Sequence, residues 1–258
     1  PLSDIKAIKA KQEAVTELRK NQKLKDQLDA MVTSAATNEK NLHLLLFGEF
    51  LGAFSQARAK NEIEGYGYKQ YKSGVRFIQD FVSSMQAAEK PKGKYLTELF
   101  NKVKVFSESR YYDLIEGPVY FVEGKITTKE ERGDSKFPVP VIFKPQIFKP
   151  VLLASIFGLL WLISMFSPVS ITPSMRTVAV FLGPLLLLYF PIVGGYDRDN
   201  CIIPLRNEYK KAEPVAELLD VIGQINELLS FMKFADNFNH NTVLPTLKEE
   251  KHNRIKIT

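Results

Sequence analysis

Only one cysteine, Cys201, and three histidines, His43, His240 and His252, occur in the 258 residues of this chain. A lone cysteine excludes an intramolecular disulfide framework and agrees with a reducing compartment. The histidines stand at no metal-ligand spacing, either with one another or with Cys201, so no metal centre is expected. No Gly-x-x-x-x-Gly-Lys-Ser/Thr run occurs, which removes the usual cradle for a triphosphate. No serine or cysteine stands in a recognisable nucleophile context. The expected catalytic, cofactor-binding and metal residues are therefore none, and the chain alone is not expected to be an enzyme. His43 is read as a satisfied structural residue heading a buried helix. His240 and His252 are read as loop or surface residues.

Charge is also missing over one long stretch. No charged residue lies between Pro150 and Met175, and none between Thr177 and Tyr196; only Arg176 interrupts. Each half is long enough to cross a hydrocarbon layer, which takes roughly 20 apolar residues. With Pro173 in the short link, residues 150–196 are expected to form a transmembrane helical hairpin. Lys144 and Lys149 precede it, and Arg198, Arg206, Lys210 and Lys211 follow it. This excess of basic residues at both ends predicts a membrane protein with both flanks cytoplasmic. Gly158, Gly183 and Pro184 suit helices that approach closely or kink.

The rest carries mixed charge. The net charge of +6 is mildly basic, but Lys and Glu are interspersed, so it is only a weak pointer to nucleic acid or anionic lipid. Ile5, Ile8, Val15 and Leu18 form a helical stripe behind a cap at Ser3 or Asp4; Asn21 breaks it, and Leu24, Leu28 and Met31 continue on a second helix. A buried helix is expected over 42–60. Gly65-Tyr66-Gly67-Tyr68 reads as a turn, followed by helices over 70–88 and 95–107. The tyrosines and lysines of Tyr66–Lys72 suit either stacking on single-stranded nucleic acid or a turn packed on a helix end. Residues 119–128 and 136–143 read as a small β-hairpin, with Pro138 and Pro140 restricting the second strand to an edge. Asp197-Arg198-Asp199-Asn200 should return the chain to water, with Asp197 and Asp199 as interface residues. After a short helix near 205–211, Pro214 opens a long amphipathic helix whose stripe is Val215, Leu218, Leu219, Ile222, Ile225, Leu229 and Met232.

The run Pro1-Leu2-Ser3-Asp4-Ile5-Lys6-Ala7-Ile8-Lys9-Ala10-Lys11-Gln12-Glu13-Ala14-Val15-Thr16-Glu17-Leu18 resembles the opening of the core, lever-bearing domain of the MutS family. Leu218-Leu219-Asp220-Val221-Ile222 through Leu228-Leu229-Ser230-Phe231 resembles the helix that returns just before that family's ATPase domain. Phe47-Gly48-Glu49 imitates the family's Phe-x-Glu mismatch wedge, but it falls inside the expected helix 42–60, whereas the wedge sits on a loop of a separate domain. The middle does not look like the DNA-gripping lever and clamp, and the apolar hairpin stands in their place.

The expectation is a mainly α protein: a helical core domain assembled from two discontinuous segments, with a two-helix transmembrane hairpin inserted and a small β-hairpin beside it. Its parts are 1–143 (the β-hairpin at 119–143), 150–196 for the hairpin, and 197–258 for the returning helices. The chain is expected to be an excerpt, with the ATPase domain beyond it. The resemblance implies ATP and Mg in that further domain, DNA (mismatched or branched) and membrane lipid as partners, and a homodimer formed through the ATPase domain. The competing expectation is a membrane-embedded scaffold whose cytoplasmic helices bind a protein partner without DNA.

Overall fold

The computed structural model describes residues 5–52, 65–122, 125–132, 141–143, 195, 197–237 and 244. Apart from Gly195, the apolar stretch 150–196 lies outside the described residues, as do Ser3, Asp4, Pro138, Pro140, His240 and His252. Among the described residues no helix is long and apolar enough to cross a membrane. The protein is mainly helical, with two small sheets among the described residues. Its chain gathers into two compact units.

The first unit takes Pro1–Glu39, Phe77–Ser109 and Ala212–Thr258. Helix α1 (Ile5–Lys20) ends where Asn21 turns its side chain back on the chain. The Asn21 Oδ1 accepts the Leu24 N–H at 3.1 Å and so caps α2 (Gln22–Phe47). Because the Asn21 N–H still reaches the Glu17 carbonyl at 2.9 Å, the chain barely leaves helical geometry. The expected helix of Leu24–Met31 and the first turns of the expected helix 42–60 are therefore one continuous element. Helix α3 (Tyr68–Ala87) enters this unit at Phe77, and α4 (Lys94–Ser107) follows a Pro91-Lys92-Gly93 turn. The core is built from Ala14, Val15 and Leu18, Leu24 and Leu28, Phe81 and Val82, and Leu96, Leu99 and Val103, all buried.

Helix α8 (Glu213–Asp236) follows α7 (Ile203–Lys211) in the chain. Ala212 is extended at its N-cap and Pro214 lies in its first turn, where its missing N–H costs nothing. It packs on α4 and α1. The buried residues are Val215, Leu218, Val221, Ile225, Leu228, Leu229 and Met232. Leu219 and Ile222, expected on the inner stripe, are only half-buried. The seam runs Leu218, Val221, Ile225, Leu228 and Met232, alternating steps of three and four, the spacing that keeps a helix facing its neighbours along their length.

The second unit takes Lys40–Arg76 and Arg110–Lys211. Here α2 stops at Phe47, and Glu49–Gly52 forms strand β1, so the helix expected to Lys60 ends early. Gly48 breaks it: the Gly48 N–H still reaches Leu44 O at 2.9 Å, but the next residues are extended. Gly65–Gly67, expected as a turn, is strand β2, paired parallel to β1 with Phe50 opposite Tyr66. Helix α3 then passes close to α2. A Cβ on Gly74 would stand 3.1 Å from the Asn41 carbonyl oxygen and 3.4 Å from Leu45 Cβ.

Helix α5 (Arg110–Glu116) leads into β3 (Val119–Val122), β4 (Lys125–Thr127), α6 (Lys129–Arg132) and β5 (Val141–Phe143). The sheet order is β4-β3-β5, antiparallel throughout. The expected hairpin between 119–128 and 136–143 thus exists as β3 with β5, but the first run itself folds into two strands. Between the two expected runs lies helix α6, and β5 is an edge. A π-helical turn, Arg198–Ile202, then runs into α7 (Ile203–Lys211).

Candidate functional site

Among the described residues polar groups distant in sequence meet at several places, and two of these stand out, one in each unit. The first lies around α1. Ala14, Val15 and Leu18 of α1 face the core, which leaves Lys11 and Glu17 at its margins. The Lys11 Nζ stands 2.6 Å from Glu227 Oε2 of α8. One oxygen of the Glu17 carboxylate accepts the Lys92 N–H at 2.5 Å and the other accepts the Gly93 N–H at 2.9 Å. Gly93 is the N-cap of α4, so Glu17 supplies from another helix the negative group that this N-terminus favours. A Cβ on Gly93 would lie 2.5 Å from Glu17 Oε2, so a larger residue here would push that carboxylate aside.

Tyr95 of α4 donates to Gln224 Oε1 of α8 at 2.9 Å, and burial, then the Glu227 charge, pushes its hydroxyl up to about 12. Helices α1, α4 and α8 are braced by polar pairs around an apolar seam. An open groove of about 920 Å³ beside Glu17 is lined by Lys9, Gln12, Thr16, Lys20, Asn21 and Glu89 among others. Its charges are mixed and do not converge on one point.

The second place is a buried acid in the other unit. Asp197 is 3% exposed, and the Tyr68 hydroxyl donates to its Oδ2. Phe50 holds the surrounding rings: Tyr68 stands edge-on at 4.9 Å, Tyr66 at 5.5 Å and Tyr71 at 6.4 Å. Burial pushes the Asp197 carboxyl up to about 6, against the Tyr68 hydrogen bond, which favours the charged form. One helical turn later Cys201 is buried, and its thiol is pushed to about 12 by burial and then by the Asp197 charge. It is protonated and inert.

Arg206 of α7 donates from Nη1 to the Gly48 carbonyl at 2.6 Å and so satisfies the end of α2. The Tyr66 hydroxyl beside it is buried with no hydrogen-bond partner among the described residues. Burial raises it to about 12, against the pull of the Arg206 charge. Tyr209 donates to the Tyr111 carbonyl at 2.7 Å. Arg110 binds Glu131, Glu208 Oε2 at 2.9 Å and the Ile126 carbonyl at 2.9 Å, tying α5 to α6, α7 and β4. In this cluster burial moves the Asp197 carboxyl towards neutral pH and pushes the Cys201 thiol and the Tyr66 hydroxyl well above it.

Several expected site residues sit elsewhere. Tyr66, Tyr68 and Tyr71 are buried in the aromatic cluster, so their faces are not open to stack on bases. His43 is exposed, its ring 5.2 Å from that of Phe47, and does not head a buried helix. Phe47-Gly48-Glu49 spans a helix end and a strand start, not a helix interior; Phe47 is 59% exposed, with Lys210 Nζ 5.1 Å from its ring centre. Asp197 does not face water, whereas Asp199 does and pairs with Arg198 at 2.7 Å. Glu17 and the Tyr68–Asp197 pair were missed. An acid directly after an uncharged run was the one available hint of the latter.

Among the described residues no cluster of His, Cys, Asp and Glu is fit to hold a metal ion. Comparison with known proteins finds no family model, no curated protein and no solved structure that matches this chain.

Proposed function

We propose that this chain is the core and membrane-anchoring segment of a MutS-like, ATP-dependent DNA-binding protein. It couples a nucleotide-binding domain to DNA or to a partner. The observation that carries the reading is the meeting of the two resembling stretches. They lie some two hundred residues apart in sequence, yet α1 packs against α8 and Lys11 pairs with Glu227 at 2.6 Å. A core domain that passes force between a downstream motor and upstream elements needs such a joint, since separate helices would absorb the movement.

The 150–196 hairpin, crossing a membrane with both flanks cytoplasmic, is the anchor of this reading. ATP and Mg would sit in the further domain, through which the protein would dimerise, because this chain has no phosphate loop.

A second reading, a membrane scaffold that captures a protein partner, is favoured by exposed apolar groups on α8: Phe231 is 54% and Phe234 63% exposed. Binding of the intact protein to mismatched, branched and single-stranded DNA over a salt series separates the two. The first reading expects measurable affinity whose logarithm falls linearly and steeply with the logarithm of salt concentration, the signature of phosphate contacts. No DNA affinity at low salt sinks it and leaves the scaffold.

A further inference from the structure

We propose that the second unit rests directly on the lipid headgroups, with Leu51 of β1 and Arg198 of the π-helical turn in the contact. This rests on the reading of 150–196 as a membrane hairpin. The uncharged run closes at Tyr196, and the next residue, Asp197, already has its carboxylate inside the unit, bound by Tyr68. No linker separates span from core, and successive Cα atoms are about 3.8 Å apart. At the other root, β5 ends at Phe143 and the apolar run opens at Pro150, so the chain between reaches at most about 25 Å. On this reading the direct join at Asp197 holds the adjoining surface at the bilayer, and the second root sets only an upper limit on its distance.

The side that touches lipid is set by what surrounds the emerging chain. The π-helical turn packs against β1, β3 and β4 and continues into α7. On these elements Leu51 is an exposed large apolar side chain, 44% accessible. Its side chain lies against β2: a Cβ on Gly65 would stand 2.2 Å from Leu51 Cδ1. Arg198, with 43% of its side chain exposed, holds Asp199 through two hydrogen bonds at 2.7 and 3.1 Å. A paired cation and anion suit a layer whose headgroups carry both signs. An exposed apolar residue on β1 and a charge pair on the turn that packs against β1 are the usual make-up of a surface that sits at the headgroup boundary without spanning.

The test uses the wild-type protein in liposomes that contain a phospholipid with a photo-activatable diazirine tethered to its headgroup. Crosslinked peptides are then mapped by mass spectrometry. Adducts are expected at Leu51 and at Arg198–Asn200. The double variant Leu51→Asp/Arg198→Glu should lower the yield there at least fivefold and leave adducts on the hairpin unchanged. Adducts on the ends of the hairpin with none at Leu51 or Arg198 would overturn the contact while the anchor stands. If acyl-chain brominated lipid also fails to quench Trp161, the single tryptophan, which lies within the first apolar run, the anchor itself falls and the contact with it.

Discussion

Replacing Asp197 by asparagine should remove a pH dependence that runs opposite to that of an ion-paired acid. In the native chain the carboxyl is 3% exposed and is pushed from 3.8 to about 6 by burial. Below pH 3.8 the native and opened states both hold the proton. Between 3.8 and about 6 the native state keeps a proton that the opened state has released, so stability falls as pH rises. Above about 6 the loss is complete. The displacement of about two pH units corresponds to about 3 kcal/mol, or up to ~100-fold in the opening equilibrium. Asparagine keeps an acceptor oxygen for the Tyr68 hydroxyl but carries no charge, so its curve should be flat across the same window.

Cys201 supplies the assay. It is the single cysteine, it is 2% exposed, and it lies one helical turn from Asp197, so a thiol reagent reaches it only when this region opens. Labelling rates are divided by those of the denatured chain at each pH, which removes the thiol's own titration. The expected result is a ratio of wild-type to Asp197→Asn labelling that climbs from near one at about pH 3 towards ~100 at about pH 8. A ratio constant within twofold would show that Asp197 does not carry a buried charge, and the account of this cluster would fail.

The carboxylate of Glu17 accepts two backbone N–H groups, so Glu17→Ala should cost about 1–3 kcal/mol. It should also speed amide exchange at Lys92 and Gly93; unchanged exchange there would mean that the turn holds itself. Gly74→Val forces a branched side chain against the Asn41 carbonyl and should cost about 1–3 kcal/mol by overpacking, read as a lowered melting temperature. Leu159→Arg with Leu187→Arg should cost about 2.5–3.5 kcal/mol of insertion each; membrane fractionation that does not change on the double replacement refutes the spans.

How much was legible from the sequence differs from place to place. The helices over 70–88 and 95–107 were read within a few residues, because Val75, Ile78, Val82 and Met85, and Leu96, Leu99 and Val103, repeat at helical spacing and all are buried. Where a segment is apolar on every side, periodicity gives no boundary. The run from Leu42 onward has that character, and only the backbone freedom of Gly48 and the parallel pairing with β2 decide that it leaves the helix. Asp197 was misread for a related reason. An acid at the end of an uncharged run looks solvent-bound until a tyrosine from more than a hundred residues earlier is placed against it.

Composition and patterning alone thus determined the helical class, the lack of a phosphate-loop motif and the two uncharged runs, since each is a property of side-chain chemistry in sequence order. Tertiary structure alone decided which face of α8 is inside, that Glu17 caps a helix other than its own, and that the tyrosines after Gly65 are core. These depend on which surfaces the rest of the chain covers. A local pattern records that a residue tends to be buried or paired, but the identity of its partner is set by contacts between segments that the sequence keeps far apart.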